Sequence, residues 1–95
     1  MVSQEKLEQI CARFAYLEAK MADGSAIDEI AKLSKEYSDL KPVVDQIENY
    51  KTTLLDISEA EEMLLDPELK VLAEEELPKL KEKLPIIEHN LLLSL

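Results

Sequence analysis

The fold is decided by residues 28–66, which read DEIAKLSKEYSDLKPVVDQIENYKTTLLDISEAEEMLLD. Apolar residues recur in this stretch every three or four positions, the spacing that places side chains on one stripe of an α-helix. The stripe comprises Ile30, Leu33, Tyr37, Leu40, Val44 and Ile47, then, after a shift of phase, Tyr50, Leu54, Ile57 and Leu64. We therefore expect one long amphipathic helix over about residues 26–65, roughly 55 Å in length. Pro42 removes the backbone bond to the carbonyl of Ser38, so we expect a kink there.

The composition bounds the fold class and the partners. The 95 residues include one glycine and no tryptophan, and they carry a net charge of −10. A chain of this length forms one domain at most, and this surplus of leucine, glutamate, lysine and alanine is typical of long helices. The negative charge disfavours direct binding to nucleic acid and favours basic partners.

The segment before the long helix predicts a first helix over about residues 3–22. Its apolar stripe is Leu7, Ile10, Phe14, Leu17 and Met21. Gly24 suits the left-handed position that ends a helix. Ser25 and Asp28 then have the spacing of a capping box, which indicates that the next helix starts at once and folds back antiparallel.

The segment after the long helix predicts a third helix over about residues 67–93. Asp66 is a good N-cap, and Pro67 is favoured at the first helical position. The stripe is Ala73, Leu77, Leu80, Leu84, Ile87 and Leu91. Pro78 and Pro85 lie seven residues apart, so they share a helical face, and we expect bends there with this face turned outward.

These elements predict an all-α fold, an antiparallel three-helix, coiled-coil-like bundle with a long central helix. The outer helices, about 28 Å and 40 Å long, should overlap along roughly 13 Å of a central helix of about 55 Å. The expected core of this overlap comprises Leu7, Ile10, Val43 or Val44, Ile47, Ile87 and Leu91.

Acidic residues are concentrated in residues 56–76, which contain nine acids and one base, Lys70, for a net charge of −8. The simplest interpretation of such a run is a solvated surface. The alternative is a docking surface for a basic partner, where charge speeds the encounter more than it adds affinity.

Catalytic, cofactor and metal sites are not indicated. A di-metal bundle needs Glu-x-x-His pairs, but His89 is the single histidine and residue 86 is isoleucine. Cys11 and His89 form the one conceivable nucleophile–base pair, and a half-buried core position explains Cys11 more simply. One cysteine excludes an internal disulfide framework, and no signal peptide or membrane span is visible, so we expect a cytoplasmic protein.

Several runs resemble the N-terminal helical domain of bacterial class I peptide chain release factors. They are EEMLLDPELK at 61–70, LAEEEL at 72–77, KLKEK at 79–83, LSKEYSDL at 33–40 and LLL at 91–93. The similarity spans nearly the whole chain. It is greater to the release factor 1 type, which reads UAA and UAG, than to release factor 2. Pro78 and Pro85 depart from the usual uninterrupted third helix of the family.

The resemblance implies a non-enzymatic domain that contacts the ribosome near the large-subunit stalk base and is touched by the release-factor glutamine methyltransferase. The family reads stop codons through a Pro-x-Thr tripeptide and promotes hydrolysis through a Gly-Gly-Gln loop, and this chain contains neither. It therefore looks like a truncated piece of a longer factor. In that factor we expect four residues to face basic ribosomal protein: Glu61, Glu62, Glu74 and Glu75.

Two alternatives remain open from the sequence. The first is a freestanding acidic coiled-coil scaffold that self-associates through Leu92, Leu93 and Leu95. The second is a small enzyme that uses Cys11 and His89, and the lack of catalytic groups in the sequence argues against it.

Overall fold

The computed structural model describes residues 2–24 and 27–95. Helix α1 is Gln4–Asp23, a 3-10 turn covers Ile27–Glu29, α2 is Ile30–Met63 and α3 is Lys70–Ser94. The described residues form no strand. The expected all-α class is confirmed, since every described element is helical.

Helix α1 is capped at both ends by residues that suit these positions. The side chain of Ser3 accepts a hydrogen bond from the backbone N–H of Lys6 at 3.4 Å. Gly24 has φ +74°, the left-handed conformation in which a Cβ would be strained. The predicted capping box depends on Ser25, which lies outside the described residues. The 3-10 turn at Ile27–Glu29 means that α2 starts at Ile30 rather than near residue 26.

The first compact unit, Met1–Ile47, pairs α1 with the first part of α2. The rings of Phe14 and Tyr37 stack with centroids 4.6 Å apart, and Arg13 forms an ion pair with Glu36. These partners lie almost equally far before and after the turn at Gly24, which makes the pair an antiparallel hairpin. Its buried apolar residues are Leu7, Phe14, Leu17, Leu33, Val44 and Ile47.

The second compact unit, Glu48–Leu95, pairs the rest of α2 with α3. Ala60 and Ala73 are both buried and line one groove, and Asp56 and Leu80 line it farther from the turn. These two helix segments are therefore also antiparallel. The buried residues of this unit are Thr53, Ile57, Ala60, Ala73, Ile87 and Leu91.

The stripe of α2 differs from the predicted one in this second unit. Leu54 was expected inside but is 40% exposed, whereas the neighbouring Thr53 is 2% exposed. Burial of Thr53 is tolerated because its hydroxyl donates a hydrogen bond to the carbonyl of Asn49 at 2.8 Å. The hydroxyl of Thr53 finds its partner within its own helix, so hydrophobicity alone assigned this one stripe position to Leu54 instead of Thr53.

The turn between α2 and α3 is longer than predicted. The N–H groups of Leu65 and Asp66 donate to carbonyls three residues earlier, so α2 closes in tight turns after Met63 instead of running to residue 65. Asp66 accepts a hydrogen bond from the N–H of Glu68 at 2.9 Å within the turn. It is not the N-cap of α3 as predicted, because that position is Leu69, which forms no side-chain cap. The N–H groups of Leu69 and Lys70 both donate to the carbonyl of Asp66 and close this turn. Helix α3 therefore begins at Lys70 rather than at Pro67.

All three helical prolines are exposed, and α2 and α3 continue through them. Pro78 and Pro85 therefore do not break α3, and their exposure agrees with the outward face that we expected. Bends at these positions stay a prediction. The residues expected in a shared core are buried or half-buried, while the overlap of α1 with α3 stays a prediction.

Candidate functional site: the acidic hairpin

The strongest feature of the second unit is the acidic hairpin, defined as residues 56–76. It comprises the end of α2, the turn centred on Asp66 and the first turns of α3. The four expected contact residues, Glu61, Glu62, Glu74 and Glu75, are all exposed. Their carboxylates are therefore available to a partner.

Little positive charge offsets these acids. Lys70 approaches Glu74 at 4.0 Å, and Lys79 approaches Glu76 at 4.0 Å, each pair on the helix surface. Exposed pairs at this distance contribute little to stability and leave most of the field unscreened. The hairpin therefore presents a strongly negative surface.

A groove lies between the two helices of this hairpin and encloses about 230 Å³. We call it the hairpin groove. Its lining is Asp56, Glu59, Ala60 and Met63 from α2, and Leu72, Ala73, Glu76 and Leu80 from α3. The lining combines an apolar surface with three carboxylates, and it contains no lysine or arginine.

The groove separates the acids of the hairpin into two groups. Successive helical residues are about 100° apart, so on each helix the lining residues fall within an arc of about 100°. Glu61 and Glu62 fall outside this arc on α2, and Glu74 and Glu75 fall outside it on α3. The four expected contact residues thus share the hairpin but not the groove.

Sequence reasoning missed the groove because it treated the acids as one surface. A signal was available in Ala60 and Ala73, two small residues at stripe positions on facing helices. Small side chains leave space beside the helix contact, and Leu72 and Met63 form apolar walls around it. The space stays open only in a particular pairing of the two helices, and the spacing of residues within one helix does not predict that pairing.

The considered nucleophile and base belong to different compact units. Cys11 is half-buried on α1, and His89 is exposed on α3. Across the described ranges 2–24 and 27–95, no three histidine, cysteine, aspartate or glutamate side chains are grouped to hold a metal ion. Nor does any described helix have the length and apolar character needed to cross a membrane.

Two pKa shifts have structural causes, burial in one case and an ion pair in the other. Burial, with a smaller contribution from the charge of Glu88, raises the pKa of the Tyr50 phenol. The hydrogen bond from Arg13 lowers the pKa of the Glu36 carboxyl in the other unit. Neither group lines the hairpin groove.

Comparison with known proteins matches nearly the whole of this chain to one family. The model of the PCRF domain matches residues 10–95. The chain is 55% identical over 95 residues to peptide chain release factor 1 of Ruegeria pomeroyi, covering 100% of the chain and 27% of that relative. It is 53% identical over 95 residues to peptide chain release factor 1 of Dinoroseobacter shibae, with the same 100% and 27% coverage.

A relative of lower identity gives the same result. Peptide chain release factor 1 of Geotalea uraniireducens is 40% identical over 94 residues, which cover 96% of the chain and 26% of that relative. The chain thus spans about a quarter of the length of these relatives. No solved structure matches the chain.

The resemblance inferred from the acidic and leucine-rich runs is confirmed by these matches. Since the family model covers all but the first nine residues, the chain belongs to the PCRF domain family of the peptide chain release factors.

Proposed function

We propose that this chain is the ribosome-contacting helical domain of a release factor that ends translation at UAA and UAG. The observation that carries the proposal is 55% identity to a peptide chain release factor 1 over all 95 residues of this chain. Pro-x-Thr and Gly-Gly-Gln are absent from these 95 residues. Within the proposed factor, codon reading and hydrolysis therefore belong to other segments, and this domain is not itself an enzyme.

The proposed partners follow from the family resemblance. They are the ribosome, near the stalk base of the large subunit, and the release-factor glutamine methyltransferase. The strongly negative hairpin supports a protein partner with a basic surface and argues against direct contact with a phosphate backbone. The proposed setting is the cytoplasm, where translation factors act, and the proposal includes no cofactor.

The direct test is a chimera in which this chain replaces the matching segment of the Ruegeria pomeroyi factor. We expect the chimera to bind ribosomes that carry a stop codon and to release peptide at a rate close to that of the parent. The matched control is the parent with the segment deleted. A chimera no better than this deletion variant would overturn the proposed role.

The codon-reading part of the proposal has a separate test in the reading frame that encodes this chain. We expect Pro-x-Thr and Gly-Gly-Gln to be encoded downstream of Leu95. A frame that encodes neither would contradict a role in a decoding factor.

Within this function, Glu61, Glu62, Glu74 and Glu75 are proposed to speed the encounter with a basic ribosomal protein. Reversing all four to lysine in the chimera should slow association by about tenfold at low salt, because steering by charge acts on the association rate. Stopped-flow fluorescence measures this rate. The rate at which the bound chimera releases peptide should be unchanged.

The control reverses four exposed acids outside the hairpin: Glu5, Glu8, Glu18 and Glu29. Both variants change net charge equally, so an equal slowing would show that overall charge acts rather than the hairpin. An unchanged association rate in the hairpin variant would contradict the assignment.

A self-associating scaffold is the rival function, and the exposure of Leu92 and Leu93 is the observation that favours it. Sedimentation equilibrium of the chain distinguishes the two. The scaffold is favoured if the chain forms a stable dimer that Leu93→Lys abolishes and if the chimera is also inactive.

A further inference from the structure

The hairpin groove has the size and lining of a socket for a side chain rather than for a small-molecule ligand. Its volume of about 230 Å³ is below the lower end, about 300 Å³, of typical small-molecule pockets. Ala60 and Ala73 are buried beneath it. Leu72 forms part of its wall and is 49% exposed, so apolar surface remains open to a partner.

The carboxylates of the lining restrict the chemistry of that partner. Asp56, Glu59 and Glu76 accompany the apolar wall. Within the described part of the chain, Asp56 and Glu59 form no ion pair, and Glu76 meets only the exposed Lys79 at 4.0 Å. An apolar group that enters the groove therefore passes three acids that are weakly neutralised, which favours cationic neighbours on the entering segment.

We propose that the hairpin groove binds one apolar side chain of a lysine- or arginine-rich helical segment of a protein partner. On such a segment, cationic side chains three or four residues before and after the apolar residue lie on the same face. They reach the carboxylates of Asp56, Glu59 and Glu76 when the apolar side chain enters between Leu72 and Met63. This inference rests on the proposed function and specifies the chemistry of the segment that meets the domain.

The two groups of acids then act on different rate constants. Glu61, Glu62, Glu74 and Glu75 lie outside the groove and act at long range, on association. Groove residues contact the bound segment directly, so their loss should act mainly on dissociation. The acidic hairpin therefore contains two regions, the groove and the acids outside it, whose roles can be tested separately.

The binding test uses the whole 95-residue chain and two synthetic helical peptides of lysine and alanine. One peptide carries a central leucine flanked by lysines at i±4, and the other carries serine in place of that leucine. Their charges are equal, so non-specific attraction to an acidic protein is the same for both. We expect the leucine peptide to bind about tenfold more tightly by fluorescence anisotropy, from burial of one leucine side chain.

Two pairs of substitutions locate the binding. Leu72→Ser removes an apolar wall of the groove, whereas Val71→Ser removes a neighbouring apolar side chain that is 67% exposed and does not line it. We expect Leu72→Ser to abolish the tenfold preference for leucine and Val71→Ser to keep it. Glu59→Lys should speed dissociation of the peptide several-fold more than Glu61→Lys, which changes net charge equally from outside the groove.

All four positions are exposed, so the fold should persist, and circular dichroism checks this. If Leu72→Ser lowers the helix content, Asp56→Asn replaces it as the groove variant. Asp56→Asn should speed dissociation of the peptide more than its charge-matched control outside the groove, Glu62→Gln. Equal binding of the two peptides would overturn the proposal, as would equal effects within the substitution pairs.

Failure of the groove and failure of the proposed function give different results. A chimera that supports termination while the peptides bind alike contradicts the groove alone. An inactive chimera whose isolated domain still selects leucine and responds to Leu72→Ser contradicts the function alone.

Discussion

Arg13 and Glu36 join α1 to α2 through two parallel hydrogen bonds. The Nε group donates to Oε2 at 2.5 Å, and Nη2 donates to Oε1 at 2.7 Å. These bonds hold the pKa of the Glu36 carboxyl below its ordinary value of 4.5. Since the folded pKa is depressed, the pair stabilises the fold above the ordinary pKa, and this contribution is lost as pH falls through the depressed value.

Replacing Arg13 by alanine should therefore raise the pKa of Glu36 toward 4.5. Arg13→Lys is the control, because lysine keeps the charge but cannot form the paired bonds, so the rise should be smaller. An NMR titration of the Glu36 side-chain carboxyl measures both. An unchanged pKa in Arg13→Ala would show that the paired bonds do not form in solution.

Ile47 is a second residue whose environment can be tested singly, because its side chain is 0% exposed. Ile47→Ala should lower the free energy of unfolding by about 2–5 kcal/mol, the usual range for a buried isoleucine. Ile86→Ala, at a position that is 61% exposed, is the control and should change it by less than about 0.5 kcal/mol. Urea denaturation gives both values, and a loss under about 1 kcal/mol at Ile47 would contradict a packed core there.

At the scale of the element, prolines and turns decide how far each helix extends. Pro78 and Pro85 lie inside α3, where each lacks the N–H that would bond to the carbonyl four residues earlier. The helix nevertheless continues to Ser94. Its packing in the hairpin must offset the two missing bonds, since propensity alone disfavours both prolines.

Pro78→Ala and Pro85→Ala should each restore one backbone bond and stabilise the fold, by up to about 3 kcal/mol. Pro67→Ala is the control, because Pro67 lies in the turn before α3. There, replacement should destabilise slightly, by about 0.4–1 kcal/mol, through the freer unfolded chain. Equilibrium denaturation measures all three, and no gain at either helical proline would contradict this account.

At the scale of the whole molecule, the charge is both large and uneven. The net charge is −10, and residues 56–76 carry nine acids and one base. Such repulsion destabilises a compact state and is screened by salt. The surface ion pairs have the opposite salt dependence but are individually weak.

Salt should therefore raise the melting temperature of the chain. Moving from about 0.01 M to about 0.15 M NaCl shortens the screening length from about 30 Å to about 8 Å, and we expect a rise of several degrees. A variant with Glu74→Gln, Glu75→Gln and Glu76→Gln should show a smaller rise. Differential scanning calorimetry measures both, and a fall in the melting temperature would mean that ion pairs outweigh the repulsion.

The sequence alone determined the helices, the hairpins and the family. The stripe from Leu7 to Met21 and the stop at Gly24 are local patterns, and periodicity and capping chemistry act within a few residues. The acidic hairpin was visible by counting charge. The family resemblance was visible in runs such as EEMLLDPELK at residues 61–70.

Only the tertiary structure decided which side chains face a partner helix. It placed Thr53 inside and Leu54 outside, and it put Glu59 beside the hairpin groove while leaving Glu61 away from it. Neighbouring residues of similar local character differ here because burial depends on how two helices pair across the turn at Asp66. That pairing is a long-range contact, and no spacing within one helix encodes it.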